Sequence, residues 1–210
     1  MNRVLLEAAR LRKICERLDV AASDDDEWLP ANAVVPFQWY PSKLKSECTV
    51  YVTKWNWALG YISPQPGRTS FLARPGRIDE RLLGAVLGKC RGERVVFVGD
   101  LDPLDLLVFA SVHAAARSCG IACEYRGVDS RWMAVCERAS KRIGRTVPYL
   151  PMSRLEVLCW DLLKDEKWAA VLGRQAIARL EEGKKLELEG ASNPVFYGSG
   201  IARTVRTRLP

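Results

Sequence analysis

The chain has one histidine, His113, and its seven cysteines follow no repeated spacing, so the ligands of a structural zinc site are scarce. Only Cys119 and Cys123 are close neighbours, and a disulfide framework is not expected from an odd, scattered set. The thiols read as buried and inert. No Ser/His/Asp set and no glycine-rich phosphate loop of the Walker type can be assembled. No apolar run reaches the roughly 18 to 20 residues of a membrane-spanning helix. Glu7, Arg10 and Arg12 interrupt the stretch that a secretory signal would keep apolar. Internal repeats and low-complexity segments are also missing. The expectation from these absences is a cytoplasmic protein without a membrane partner.

What is present is the balance of a globular chain, with 48% hydrophobic and 27% charged residues over 210 positions. That length suits one domain with a short arm. Basic residues outnumber acidic ones 32 to 25, and the excess is uneven. Residues 1–46 carry seven of each sign, whereas residues 67–100 carry seven basic against four acidic and residues 141–210 thirteen against eight. Such a field concentrates polyanions, which makes DNA an expected partner; a solvated surface that aids solubility explains the charge alone equally well.

Along the chain, residues 4–18 space apolar side chains as an amphipathic helix does. Pro30, Pro36 and Pro41 keep the following stretch out of regular helix, and residues 1–46 read as an N-terminal arm packed on a domain over 47–210. Strands are expected at 49–54, 69–73, 94–100 and 121–127. Helices are expected at 77–90, with Asp79 as N-cap, and at 103–118, which is apolar almost all round. This alternation predicts an α/β fold with a parallel, doubly wound sheet flanked by helices. From residue 129 the pattern becomes helical, with segments at 130–142, 153–164 and 167–182 forming a C-terminal extension.

The sharpest feature is "VVFVGDLDPLDL". Asp100 and Asp102 fall at the carboxyl end of a buried strand, where open α/β sheets place their ligand crevice. Spacing of two sends both side chains to one side, close enough to share a hard cation such as Mg2+, with Asp105 as a further ligand. A second reading also accounts for part of the pattern. Asp102 before Pro103, with Asp105 in the first turn, is what a helix N-terminus selects. Capping leaves Asp100 unexplained.

These residues resemble the Toprim domain, the metal-binding α/β module of topoisomerases, primases and related nucleases, in the branch of the topoisomerase VI A subunit and its meiotic double-strand-break relative. The Toprim-bearing nuclease subunit of the Wadjet defence system is a second neighbour. "GDLDPLDLLVFAS" resembles the family's Asp-x-Asp-Pro-x-Gly segment, "EYRGVDSRW" the strand and turn after it, and "FLARPGRID" the second strand with Gly76 on the family glycine. "DEKWAAVLGRQAIARLEEGKKLELEGAS" resembles the late helix and its Lys-Lys-x-Glu-x-Glu run. The likeness covers residues 48–205. It implies Mg2+ on the pair Asp100 and Asp102, with Asp105 as a helper beside them, DNA as substrate, and a role as subunit of a DNA-cleaving or topoisomerase-like complex.

The sequence departs from that pattern in three places. Thr53 stands where the family carries a metal-binding glutamate, with Lys54 retained after it, and Leu104 replaces the family glycine. The 46 residues ahead of the domain are too few for the winged-helix domain that carries the family's tyrosine nucleophile; Tyr40 reads as an aromatic anchor beside Trp39. No catalytic residue can therefore be assigned. A catalytically degenerate module that binds DNA or a partner protein is the alternative. Nucleic-acid contacts are assigned to Lys54, Arg74, Arg77, Lys184 and Lys185; for Arg74 and Arg77 a plain surface role explains the residues equally well. Trp55 and Trp57 can stack bases but suit core packing better. His113 reads as a core histidine.

Overall fold

A computed structural model describes residues 5–23, 28, 48–54, 69–74, 76, 78–89, 94–165 and 167–193, together with the backbone of 38–40. Arg77, Trp55, Trp57 and the basic tail from residue 194 lie outside this set. Helix α1 (Ala8–Ala21) is followed by strands β1 (Gln38–Tyr40), β2 (Cys48–Val52) and β3 (Thr69–Ala73). Helix α2 (Glu80–Gly88), β4 (Arg94–Val98), α3 (Pro103–Ser118), β5 (Cys123–Tyr125) and α4 (Ser130–Arg142) complete the alternating part. The C-terminal part holds β6 (Leu150–Pro151), α5 (Arg154–Leu163), α6 (Trp168–Leu172), α7 (Arg174–Glu181), β7 (Lys184–Lys185) and α8 (Leu188–Ser192).

The main sheet runs β1-β3-β2-β4-β5. Strands β3, β2, β4 and β5 are parallel, and β1 adds antiparallel at the β3 edge. The architecture is thus a parallel α/β sheet flanked by helices, as the alternating pattern predicted. Val50, Tyr51 and Val52 on β2 and Val95 to Val98 on β4 are buried, the signature of strands covered on both faces. β1 could not be read in advance: three residues between prolines carry no periodicity, and their pairing with Phe71 to Ala73 is a tertiary event.

The chain leaves β2 for β3 on one side and then crosses back to β4 on the other. Both later crossovers move the same way across the sheet, so right-handed connections put α2 and α3 on one face, where they pack together. Phe97 of β4 anchors that face, with its ring centroid 5.4 Å from both Tyr51 and Phe109. Asp79 caps α2 by accepting from the amides of Arg81 and Leu82, as its sequence position suggested.

The expected helix over 167–182 is broken in two. Gly173 adopts φ +81°, outside the helical region, and a β-carbon there would lie 2.5 Å from Ser130 Oγ. The same hydroxyl accepts from the amide of Ala176 at 2.9 Å, so a side chain from α4 supplies what the start of α7 lacks. The residues after α7 return to the sheet's carboxyl rim. Leu150 and Pro151 pair with Lys185 and Lys184, and Leu101 exchanges backbone hydrogen bonds of 3.0 and 3.2 Å with Leu186. No helix among the described residues is long and apolar enough to cross a membrane.

Candidate metal centre

Neighbouring strands whose connections leave in opposite directions open a crevice at their carboxyl ends. Here those strands are β2 and β4. Thr53 and Lys54 follow the first, and Gly99 to Asp102 follow the second. Three aspartates meet in this place: one oxygen each from Asp100, Asp102 and Asp105 lies within 4.8 Å of the others. Such a cluster can hold a metal ion, since hard divalent cations take carboxylate oxygens at this kind of spacing.

One oxygen of each carboxylate accepts from backbone amides. Asp102 Oδ1 accepts from the amides of Leu104 (2.7 Å) and Asp105 (2.9 Å), which is the N-cap of α3. Capping and clustering are therefore both true of Asp102. Asp105 lies in the first turn but does not cap. Its Oδ2 accepts from the Asp100 amide and the Thr53 hydroxyl, each at 2.7 Å, and this ties the two strand ends together. Asp100 Oδ1 accepts from the amide of Leu188 at 2.7 Å. Tyr125, buried on β5, donates to the Asp100 carbonyl at 2.9 Å and so holds the turn from below.

Burial dominates the electrostatics. It raises the Asp100 carboxyl to about 7 and that of Asp102 to about 6, and lifts Asp105 well above its ordinary value. The Asp102 charge adds to the rise at Asp100 and at Asp105. At Lys54 burial acts in the opposite sense. Burial alone would lower its ammonium, but Asp100, Glu189 and Glu187 outweigh that and raise it. Lys54 Nζ lies 2.9 Å from Asp100 Oδ2, 3.1 Å from Glu189 and 3.4 Å from Glu187. On the far side, Lys185 Nζ lies 2.7 Å from Glu156 Oε1 and 3.6 Å from Glu187. Six carboxylates thus face two ammonium groups, a local negative field in a chain of net charge +7.

The five basic residues singled out in the sequence have separate fates. Lys54 lies in the acidic cluster. Arg74 is 3% exposed, its amide bonded to Val52 O at 3.1 Å, and its charge opposes the burial that raises the Tyr51 phenol. Lys185 is largely buried against Glu156, whereas Lys184 is exposed and paired with Glu182 at 3.0 Å. Arg77 is outside the described residues. His113 is half-buried in α3, where burial first and Arg117 second lower its pKa, and its Nδ1 has no partner among the described residues. Of the described cysteines, Cys15, Cys48, Cys136 and Cys159 are buried and Cys119 is exposed.

Residue-by-residue reading did not select Glu156, Glu187 or Glu189 for the site. The signal was present in part, since Glu187 and Glu189 belong to the late Lys-Lys-x-Glu-x-Glu run. What the run would face depends on a contact across 88 residues. Comparison with models of protein families matches none of them to this chain, and comparison with curated proteins finds no similar sequence.

Proposed function

We propose that this chain is a Toprim-type nucleic-acid-processing protein that holds a divalent cation, Mg2+, on Asp100, Asp102 and Asp105 and acts as a subunit of a DNA-cleaving or topoisomerase-like complex. The observation that carries the reading is the convergence of three aspartates, Asp100 and Asp102 buried and Asp105 partly so, at the switch point between β2 and β4. The donor set fits the ion: all the oxygens are hard, and burial at excess negative charge makes a divalent cation a favourable counter-charge. Bound there, Mg2+ would offset charge on an oxygen of a phosphate ester. The chain's own part is to hold the cradle in shape, through the α3 amides at Asp102, Leu188 at Asp100 and Thr53 at Asp105.

A second reading, a degenerate module that binds DNA or a partner without phosphoryl chemistry, has its own support. The Thr53 hydroxyl brings no charge and is spent on Asp105, and a lysine ammonium already neutralises Asp100. Both readings are tested by titrating Mg2+ and Mn2+ under tryptophan fluorescence, with the double change Asp100→Ala and Asp102→Ala as control. A response in the wild type that the double variant lacks supports the cation site; equal responses reject it. A salt series on a labelled duplex tests the shared content, because binding through phosphates must weaken steeply with ionic strength. Cleavage of DNA with Mn2+ present, lost in the double variant, separates the first reading from the second.

A further inference from the structure

Asp100 differs from the other two aspartates in one respect. Asp102 Oδ2 and Asp105 Oδ1 accept no hydrogen bond among the described residues, whereas both oxygens of Asp100 are engaged, Oδ1 by the Leu188 amide and Oδ2 by Lys54 Nζ. The amide is fixed by the backbone of α8, but the ammonium rides on a flexible stem and has two other carboxylates within 3.4 Å. Lys54 is also the one cation in direct contact with the aspartate cluster among the described residues.

From this arrangement, and resting on the cation reading above, we infer that Lys54 is an internal counter-cation: it occupies the open side of Asp100 in the metal-free protein, and a divalent ion binds only by displacing it towards Glu187 and Glu189. The physical reason is charge. A divalent ion and an ammonium on the same carboxylate oxygen repel one another, while an ammonium between Glu187 and Glu189 keeps its ion pairs. Lys54 therefore stabilises the empty cradle and lowers its affinity for metal, so the site fills only at higher concentrations of the ion. It also leaves an ammonium beside the loaded site, where a phosphate could meet it.

The test is calorimetric titration of MgCl2 and MnCl2, each metal alone, into the full chain at pH 8, for the wild type, Lys54→Gln and Lys54→Arg. Melting in EDTA is recorded for each. Lys54→Gln is expected to melt lower in EDTA yet bind Mn2+ about tenfold more tightly, while Lys54→Arg stays near the wild type. A loss of packing cannot tighten binding, so tightening separates displacement from structural damage. Equal or weaker binding by folded Lys54→Gln overturns the inference and leaves the cation site standing; binding by neither protein overturns both. Should Lys54→Gln not fold, side-chain NMR of the wild type decides the matter. One lysine ammonium resonance, absent from Lys54→Arg, must shift as Mg2+ saturates, and an unmoved resonance rejects displacement.

Discussion

The amide of Leu188 donates to Asp100 Oδ1 at 2.7 Å, and the two residues are 88 positions apart. This bond joins the end of the C-terminal extension to the turn after the central strand. Beside it, the Leu101 and Leu186 backbone bonds make a two-point clasp over the acidic crevice. The acidic cluster is thus assembled from the middle of the chain and the end of the C-terminal extension.

Removing the acceptor should loosen that clasp. Asp100→Ala leaves a buried amide without a partner and Lys54 without its shortest contact, which is expected to cost about 1 to 3 kcal/mol. Urea unfolding measures the loss, and hydrogen exchange at Leu188 should accelerate with it. Unchanged exchange at Leu188 would show that the bond does not hold the extension.

Stability in the absence of metal should depend on pH with a defined sign. Burial raises the Asp100 carboxyl to about 7 and Asp102 to about 6, above the 3.8 of an unperturbed aspartate. The folded state therefore holds protons that the unfolded chain releases. Its contribution is full below about pH 4 and is lost as pH rises through about 7. In EDTA the melting temperature should fall between pH 5 and pH 8. Saturating Mg2+ should protect little at pH 5 and most at pH 8, because protons and the cation compete for the same oxygens. Protection that is independent of pH would contradict the placement of the ion on these carboxylates.

Thr53 offers a separate test of the strand-end contact. Thr53→Val removes the hydroxyl that Asp105 accepts from and is expected to cost about 1 kcal/mol, with Mn2+ affinity changed by no more than about threefold. Thr53→Glu places a fourth carboxylate against Asp105, so it should melt lower than the wild type in EDTA and recover with Mn2+. A Thr53→Glu protein that melts like the wild type in EDTA would mean that position 53 does not face the cluster.

Gly99 allows the cradle to be distorted without deleting a ligand. A β-carbon there would lie 2.6 Å from Phe97 Cε1 and 2.7 Å from Asp105 Oδ2, so Gly99→Ala must move a buried ring, a carboxylate or both. The expected cost is about 1 to 3 kcal/mol, and Mn2+ binding should weaken even though all three aspartates remain. Full-strength Mn2+ binding by Gly99→Ala would argue that Asp105 is not a ligand.

Much of this protein is written in local pattern. The run Val95 to Val98 forms a strand because it is apolar and mostly β-branched, and Pro103 to Ser118 forms a helix because Asp102 and Pro103 specify its start and its body is apolar. Asp100 and Asp102 could be placed at a sheet's carboxyl rim from those two elements alone. The antiparallel β1, the break at Gly173 and the grouping of Glu156, Glu187 and Glu189 with the aspartates could not. Each of those depends on a partner far away in sequence: Phe71 to Ala73 for the strand, Ser130 for the helix break, Asp100 for the late glutamates.

The sequence by itself determined the central alternating strands and helices and that acid sits after the central strand, because hydrophobic period and helix capping act over a few residues. Only the tertiary structure decided that Lys54 lies on Asp100 and that Lys185 pairs with Glu156, since an ion pair is chosen by which charges burial brings within reach.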